Sequence, residues 1–344
     1  MVTSAGGPFA DWLASLTGVT ARAGARSVRA TTSGALIVTT PDLVIKLHHP
    51  RTDHDLLATR LRLAASPALA AIVLAPVLDH PLPVPAELAA ELVGAVGDAG
   101  QDAVGEAPGG WRWASLWPRV EVLAPDAADD VHLPWRAAGR LLAGLHLAGV
   151  PHGAPPGGAG ERLPRALARI AAHPAPDAAV VRAAGRAVAE ALADAATGLC
   201  GLAHGDWHLG QLGRRSGTDP WLLIDLDDLG LGPAADDLAR PAGFWACGLL
   251  ADAAWAAFVE GYRDGGGPAL APSGDPWPVL ELPARAAVVV AAARAVLDGP
   301  LEGTGRALVE ACRRMPTTGT PVVGTLGAAR VVVQDENSES KETR

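Results

Sequence analysis

The sequence contains few of the residues from which covalent and metal-linked folds are built. Its 344 residues include three cysteines, an odd number, and no two of them have Cys-x-x-Cys spacing. This excludes a disulfide framework and a structural zinc site, and it is typical of a reducing cytoplasm. No segment approaches the roughly 20 uninterrupted apolar residues that a membrane span requires, and residues 1–20 lack the pattern of a secretory leader. We therefore expect a cytoplasmic protein without a membrane segment.

Positive charge is also scarce. Lysine occurs only at Lys46 and Lys341, and arginine supplies most of the positive charge. The formal net charge of −9 argues against a nucleic acid as the main partner, because a polyanion is bound by a dense positive surface. The same acidic balance suits a cationic small molecule. At this length the chain can form a large core and two lobes that share a cleft.

Two short acidic segments lie close together in the second half of the chain. Residues 204–211 read His-Gly-Asp-Trp-His-Leu-Gly-Gln, and residues 224–228 read Ile-Asp-Leu-Asp-Asp after an apolar run. A turn between them predicts a hairpin, which would bring Asp206 and Asp225 to the same end of a sheet. Neighbouring carboxylates repel each other unless a cation lies between them, and oxygen ligands suit a hard divalent ion. We therefore predict a magnesium site.

Lys46 lies in an otherwise apolar segment, residues 43–47, which we predict to be the third of three short antiparallel strands. An unpaired ammonium is costly to bury, so its side chain should face a cleft or a carboxylate. A solvent-facing position on an edge strand is the alternative. The helix expected next, at residues 52–65, contains no Glu, so Asp53 or Asp55 is the acidic partner that this helix can offer.

The remaining pattern is mixed, with strands first and helices later. We predict two further strands at residues 71–78 and 111–123, separated by a helix at 86–96 or by a loop rich in Gly and Asp. Apolar residues then recur at helical spacing through most of the chain after residue 130. Helices are predicted at residues 135–148, 163–172, 177–195, 253–262, 283–297 and 301–314. The sequence thus indicates an α+β protein.

The two acidic segments, followed by Gly-Pro-Ala-Ala-Asp-Asp-Leu-Ala at residues 232–239, together resemble the aminoglycoside phosphotransferase and choline kinase superfamily. Gln211, at the last position of the first segment, is most similar to the branch of maltokinases and glucosamine kinases. The resemblance implies a bilobal, protein-kinase-like fold. Its expected parts are an N-terminal sheet lobe at residues 1–117, a hinge at 118–124, a mostly helical lobe at 125–333 and a disordered, charged tail at 334–344.

The family resemblance also implies the catalytic roles. The order His-x-Asp-x-x-x-x-Gln parallels the catalytic loop of protein kinases, in which Asp206 would orient and deprotonate an acceptor hydroxyl. Asp225 and Gln211 would hold Mg2+, and Asp227 would add a second carboxylate. His204 and His208 would brace the loop.

The nucleotide would be bound by the other lobe. Lys46 would bind the phosphates of ATP, with Asp55 in place of the usual helix Glu. The adenine would bind the hinge backbone at Pro118, Val120 and Val122. Asp237 would support the catalytic loop. In relatives the C-terminal helices line the acceptor pocket, which makes candidates of Trp245, Trp255, Glu260, Tyr262 and Asp264, whereas His146 is expected to be a core or capping residue.

The reaction implied is transfer of the γ-phosphoryl group of ATP to a hydroxyl of a small polar molecule such as an aminoglycoside, an amino sugar or a sugar. One alternative is a kinase-like binding module with weak or no catalysis, suggested by the missing helix Glu and by Gln211 in place of Asn. Another is a metal-dependent hydrolase in which His204, Asp206 and His208, with Asp225, ligate a transition metal. The hydrolase leaves Lys46 and the N-terminal strands without a purpose.

Overall fold

The computed structural model describes residues 7–16, 19, 26–31, 34–96, 111–123, 133–195, 198 and 200–315. The predicted tail at 334–344 lies outside these residues. The chain divides into two compact units. The first comprises residues 1–160, 197–237 and 253–274, and the second comprises residues 161–196, 238–252 and 275–344. Within the described ranges, every helix is too short or too polar to cross a bilayer.

A five-stranded antiparallel sheet dominates the N-terminal part of the first unit, in the order β1-β2-β3-β5-β4. Its strands are β1 (Ser27–Ala30), β2 (Leu36–Thr39), β3 (Leu43–Leu47), β4 (Leu82–Pro83) and β5 (Trp113–Pro118). The alternation along β3 buries Leu43, Ile45 and Leu47 in the core and leaves Lys46 on the opposite face of the sheet. The three predicted strands at the start of the chain are thereby confirmed.

Helices α1 (Pro8–Ser15) and α3 (Ala86–Val96) cover the core face of this sheet. A single carboxylate joins them to β1. Glu91 accepts a hydrogen bond from the backbone N–H of Phe9 at 2.9 Å and pairs with the buried guanidinium of Arg26. The Arg26 guanidinium also lies 4.4 Å from the centre of the Phe9 ring. Because α1 and α3 cover this face of the sheet, the opposite face is the one open to a ligand.

Helix α2 (His54–Ala64) follows β3 and begins where Asp53 caps it. The Asp53 carboxylate accepts hydrogen bonds from the backbone N–H groups of Asp55 at 2.9 Å and Leu56 at 3.0 Å. The strand predicted at residues 71–78 is wrong, since the structure has turns there and a single bridge between Val73 and Leu223. A short apolar run does not by itself distinguish a strand from a buried turn.

Where the structure describes it, the rest of the first unit contains two whole α-helices and two small sheets. The helices are α4 (Trp135–Leu147) and α8 (Asp252–Asp264). Strand β7 (Cys200–Ala203) pairs with β10 (Gly230–Pro233), and β8 (Leu212–Arg214) pairs with both β6 (Glu121–Val122) and β9 (Leu222–Leu223). Trp207 stacks on Phe258 at 5.1 Å between ring centres, which fixes α8 against the segment after β7.

The second unit is helical in its described part. It contains α5 (Arg162–Ile170), α6 (Pro176–Asp194), most of α7 (Ala234–Ala246), α9 (Trp277–Asp298) and α10 (Gly303–Arg314). Helix α9 packs against α5, α6 and α10, and it buries small residues such as Ala284 and Ala292. An antiparallel sheet region together with a helical region confirms the predicted α+β class.

Candidate active site

Two antiparallel strand pairs bring the acidic segments together. Residues 204–208 lie between β7 and β8, and residues 224–228 lie between β9 and β10. Because β8 pairs with β9 and β7 pairs with β10, both antiparallel, the two segments lie side by side. His204 Nε2 donates a hydrogen bond to the carbonyl oxygen of Ile224 at 2.9 Å, and His204 Nδ1 accepts one from the backbone N–H of Asp206 at 3.4 Å. These partners assign the Nε2–H tautomer to His204. The buried imidazole therefore links the Asp206 loop to the Asp225 segment.

Gly205 brings the two segments into direct backbone contact. Its φ of 84° lies in the left-handed region, which favours glycine. A Cβ atom at this position would lie 2.5 Å from the carbonyl oxygen of Asp228, well inside van der Waals contact. No other residue fits here without moving Asp206 away from the Asp225 segment.

Asp237 anchors the backbone of the same loop. This buried carboxylate accepts hydrogen bonds from the N–H of His204 at 2.6 Å and of Gly205 at 2.8 Å, and from His146 Nε2 at 3.0 Å. Burial alone would raise the pKa of Asp237, but these hydrogen bonds and the two neighbouring imidazoles hold that pKa below its ordinary value. Asp237 thus stays ionised and positions the residue before Asp206.

A buried chain of side chains continues from Asp237. His146 Nδ1 lies 2.8 Å from the hydroxyl of Tyr262, which also accepts a hydrogen bond from the N–H of Ala269 at 3.2 Å. Since His146 Nε2 donates to Asp237, the Tyr262 hydroxyl donates to Nδ1. Burial raises the pKa of Tyr262, which keeps it a donor. His146 is the core residue that its position predicts, but it also supports the loop.

Tyr262 was a candidate for the acceptor pocket, and the structure corrects this because its side chain is fully buried in the Asp237 network. Two other candidates, Glu260 and Asp264, form ion pairs with Arg136 at 2.7 and 2.6 Å. Trp255 packs in the core. None of these contacts marks an acceptor pocket.

The Asp237 network predicts a stability difference between two adjacent carboxylates. Asp237→Asn removes the charge that faces three buried donors, so we expect the free energy of unfolding to fall by about 1–3 kcal/mol, measured by urea denaturation. Asp236→Asn is the matched control. Burial and the charge of Asp237 raise the pKa of Asp236 to about 6, so its ionised form is disfavoured in the folded protein.

Ionisation of Asp236 therefore affects stability in the opposite direction from ionisation of Asp237. A raised pKa in the folded state means that folded protein binds a proton more tightly, so stability is lost as pH rises from about 4 through about 6. Asp236→Asn should remove this loss and unfold no more easily than wild type at pH 7. Equal destabilisation by both substitutions would contradict the assignment of the anchor to Asp237.

Lys46 is paired with both carboxylates of the second acidic segment. Its Nζ lies 2.6 Å from Asp225 Oδ1 and 2.6 Å from Asp227 Oδ2, with 12% of its side chain exposed. Burial alone would lower the pKa of Lys46, but Asp227 and Asp225 raise it above its ordinary value. Burial would likewise raise the pKa of Asp225, yet Lys46 and Gln211 lower it to about 2. Lys46 and Asp225 are therefore both charged at neutral pH.

The backbone at Asp225 explains how both carboxylates reach Lys46. Asp225 has a φ of 60°, and of the residues that the structure describes it is the one non-glycine residue with positive φ. Asp225 is the N-cap of a short 3-10 helix, Leu226–Asp228, and Asp227 is the second residue of that helix. A strained backbone of this kind is typical of functional sites.

The residues around Asp225 fit the predicted magnesium ion. Gln211 is buried, and its Nε2 donates to Asp225 Oδ2 at 3.2 Å, which leaves its amide oxygen for a further contact. Two carboxylates and an amide are oxygen donors, the kind that Mg2+ prefers. Both carboxylates already face one positive charge, because each lies 2.6 Å from the ammonium of Lys46.

The ligand set of the alternative hydrolase is not formed. In the described part of the chain, no three His, Cys, Asp or Glu side chains make a cluster that could hold a metal ion. Both ring nitrogens of His204 are engaged, one by Ile224 and the other by Asp206. Imidazole ligation of a transition metal by this residue would break one of these two contacts.

The predicted pairing of Lys46 with Asp55 is also corrected. The Asp55 side chain is 97% exposed and lies 2.9 Å from His54 Nδ1, while Asp53 serves as the helix cap. Lys46 instead pairs with Asp225, which lies 179 positions away in the sequence, and with Asp227. A helix dipole is sufficient to explain acidic residues at the start of α2.

The predicted adenine-binding segment lies beside a cavity. Pro118 ends β5, and the backbone N–H of Arg119 donates to the carbonyl oxygen of Asp42 at 2.9 Å. Val122 belongs to β6 and is paired with Gly213. The cavity has a volume of about 460 Å³. It is lined by Pro41, Asp42, Pro118, Arg119, Val120, Glu121 and Arg215.

The structure adds His48 and Ser115, which the sequence analysis missed. His48 Nε2 lies 2.8 Å from Ser115 Oγ, which accepts a hydrogen bond from Trp117 Nε1 at 2.9 Å, and His48 Nδ1 lies 3.8 Å from Asp227 Oδ2. Burial lowers the pKa of His48, so it is neutral. The alternation of side chains along β3 could have indicated His48, because residues 46 and 48 lie on the same face of the sheet.

An antiparallel sheet with a paired lysine on β3, followed by an anchored His-Gly-Asp loop, is typical of phosphotransferases with a protein-kinase-like fold. Residues 16–277, well over half of the chain, match the family model described as the phosphotransferase enzyme family, APH. The chain therefore belongs to this family. No protein of curated function matches the sequence.

Solved structures support the same fold. A choline/ethanolamine kinase family protein from Mesorhizobium loti is 16% identical, with a TM-score of 0.54 over 88% of this chain and 90% of that one. The amicoumacin kinase hAmiN is 14% identical, with a TM-score of 0.55 over 85% and 89%. The spectinomycin phosphotransferase APH(9)-Ia is 13% identical, with a TM-score of 0.52 over 86% and 91%.

Proposed function

We propose that this protein is a cytoplasmic, ATP-dependent kinase that transfers the γ-phosphoryl group to a hydroxyl of a small polar molecule. The observation that carries the proposal is the ammonium of Lys46, which lies 2.6 Å from both Asp225 and Asp227. Paired in this way, one buried cation and two carboxylates can bind a nucleotide phosphate tail and its metal ion. Membership of a phosphotransferase family supports the same reaction.

Asp206 is the proposed base. Its loop is held by the Asp237 contacts to His204 and Gly205, so its carboxylate is presented on a rigid backbone. There it would orient the acceptor hydroxyl and take its proton as the oxygen attacks the γ-phosphorus. A positioned base of this kind contributes about 10²–10⁴-fold to the rate. His208, whose carbonyl oxygen accepts the N–H of Gln211 at 2.8 Å, would brace the other end of the loop with His204.

Lys46 would bind the phosphate oxygens of ATP, and the hinge backbone at Pro118, Val120 and Val122 would bind the adenine. When bound, Mg2+ would offset the charge on the phosphates, held by Asp225 and Asp227 and by the free amide oxygen of Gln211. Two solved structures support an adenine nucleotide and a divalent cation as ligands. The spectinomycin phosphotransferase contained ADP, and the amicoumacin kinase contained AMP-PNP and Ca2+.

The acceptor is proposed to be an aminoglycoside, an amino sugar or a sugar. A cationic acceptor suits the net charge of −9. The three free cysteines, Cys200, Cys247 and Cys312, suit the reducing compartment in which ATP is available.

A coupled ADP-release assay across aminoglycosides, amino sugars, simple sugars and choline tests the proposal. We expect ADP release that requires both Mg2+ and one class of acceptor and that exceeds the rate without acceptor. Calorimetric binding of Mg-ATP without any acceptor-dependent turnover would instead favour the kinase-like binding module. Absence of nucleotide binding would overturn both.

A further inference from the structure

Helix α2 is joined to the Asp225 segment by one arginine. Arg60 Nε donates a hydrogen bond to the carbonyl oxygen of Leu229 at 3.1 Å, and Arg60 Nη2 donates to the carbonyl oxygen of Pro156 at 3.1 Å. These acceptors lie 169 and 96 positions away from Arg60 in the sequence. A single side chain on α2 therefore holds two distant backbone segments.

Leu229 ends the short segment that carries the carboxylates of Asp225 and Asp227. It is the C-terminal cap of the 3-10 helix that Asp225 begins, and its N–H donates to the carbonyl oxygen of Leu226 at 3.1 Å. Asp227 lies within that short helix. Because the helix is one turn long, fixing the carbonyl group at its end restricts both carboxylates.

Pro156 lies in a segment that pairs with the same region. The N–H of Gly158 donates to the carbonyl oxygen of Asp228 at 3.0 Å, and the N–H of Gly157 donates to that of Leu231 at 2.7 Å. In return, the N–H of Leu231 donates to the carbonyl oxygen of Pro155 at 2.7 Å. Arg60 thus binds both partners of this pairing at once, and the guanidinium does so with donors fixed in one plane, a geometry that an ammonium lacks.

We propose that Arg60 is a positioning residue that couples α2 to the carboxylates of Asp225 and Asp227. It takes the place of an ion pair between Lys46 and the helix, which α2 does not supply because it has no Glu and Asp55 faces solvent. Any shift of α2 is carried through the Leu229 carbonyl group to the two acids. The kinetic consequence rests on the proposed kinase function, whereas the structural coupling does not.

Hydrogen exchange of the ligand-free protein tests the coupling without any turnover. Arg60→Gln should speed amide exchange by about tenfold or more at residues 157–158 and at Leu231, whose N–H groups form the pairing described above. The matched control is Arg62→Gln, because Arg62 lies on the same helix and donates a hydrogen bond to Thr59 Oγ1 within α2 at 3.0 Å. Unchanged exchange in the Arg60 variant, or the same change in both variants, would overturn the proposal.

The Mg2+ dependence of activity then distinguishes a positioning role of Arg60 from a general effect of Arg60 on stability. Arg60→Gln should raise the Mg2+ concentration for half-maximal activity by about 10–100-fold while Arg62→Gln stays near wild type. If the Gln variant does not fold, Arg60→Lys replaces it, and an intermediate effect is expected because lysine keeps the charge and lacks the planar fork of donors. A wild-type Mg2+ profile in a folded Arg60 variant would refute the role. An inactive wild-type enzyme would refute the proposed function and leave the exchange result intact.

Discussion

Asp206→Asn should reduce kcat by about 10²–10⁴-fold while the affinity for Mg-ATP remains close to wild type. The substitution keeps the size of the side chain and removes its ability to accept a proton. The loop itself should be unchanged, because it is held by Asp237 through the backbone of His204 and Gly205. Steady-state kinetics with the acceptor found in the ADP-release panel, together with calorimetry of nucleotide binding, would measure both quantities.

Asp219→Asn is the control for this experiment. Asp219 lies in the turn between β8 and β9, and its substitution should leave kcat and nucleotide affinity unchanged. If Asp206→Asn retained most of its turnover, the base would have to be another residue. If it lost nucleotide affinity instead, Asp206 would belong to the nucleotide site.

Lys46→Met should lower kcat/KM for ATP by about 10²–10³-fold, the usual loss when a preorganised electrostatic contact is removed. The same change leaves two carboxylates facing each other without the ammonium that lies 2.6 Å from each. The pKa of Asp225, lowered to about 2 in the native protein, should then rise above its ordinary value of about 3.9. NMR titration of the Asp225 carboxyl carbon measures this shift.

The linkage to stability follows from the sign of the shift. A lowered pKa in the folded state stabilises the protein above the unfolded pKa of about 3.9, and this contribution is lost as pH falls toward about 2. Lys46→Met should therefore lose stability at neutral pH and less of it in acid. Lys46→Arg is the control, because it keeps the charge and should keep the pKa of Asp225 low. An unchanged pKa of Asp225 in the Met variant would contradict the pairing.

Local physics predicted much of the sheet and of the site. Strand alternation gave residues 43–47 correctly, and the turn between the acidic segments gave the hairpin of β8 and β9. The cost of burying an ammonium required a carboxylate near Lys46. It did not identify which one, since the partner Asp225 is 179 positions away and the nearer acids on α2 face solvent.

The remaining errors have a common origin in tertiary packing. His48 was not among the predicted site residues, because its partner Ser115 is supplied by the neighbouring strand β5. Tyr262 was assigned by position to an acceptor pocket, but the approach of α4 buries it against His146. Arg60 carried no signal at all, because its partners are backbone carbonyl groups that any sequence would provide.

The most direct test of the account is the affinity for ATP measured by calorimetry with and without Mg2+ in wild type and in Asp225→Ala. If Asp225, Asp227 and Lys46 form the site of the metal-nucleotide complex, Mg2+ should strengthen ATP binding by wild type, and this gain should fall by about tenfold or more in the variant. Equal, Mg2+-dependent affinity in both proteins would contradict the site and, with it, the kinase mechanism.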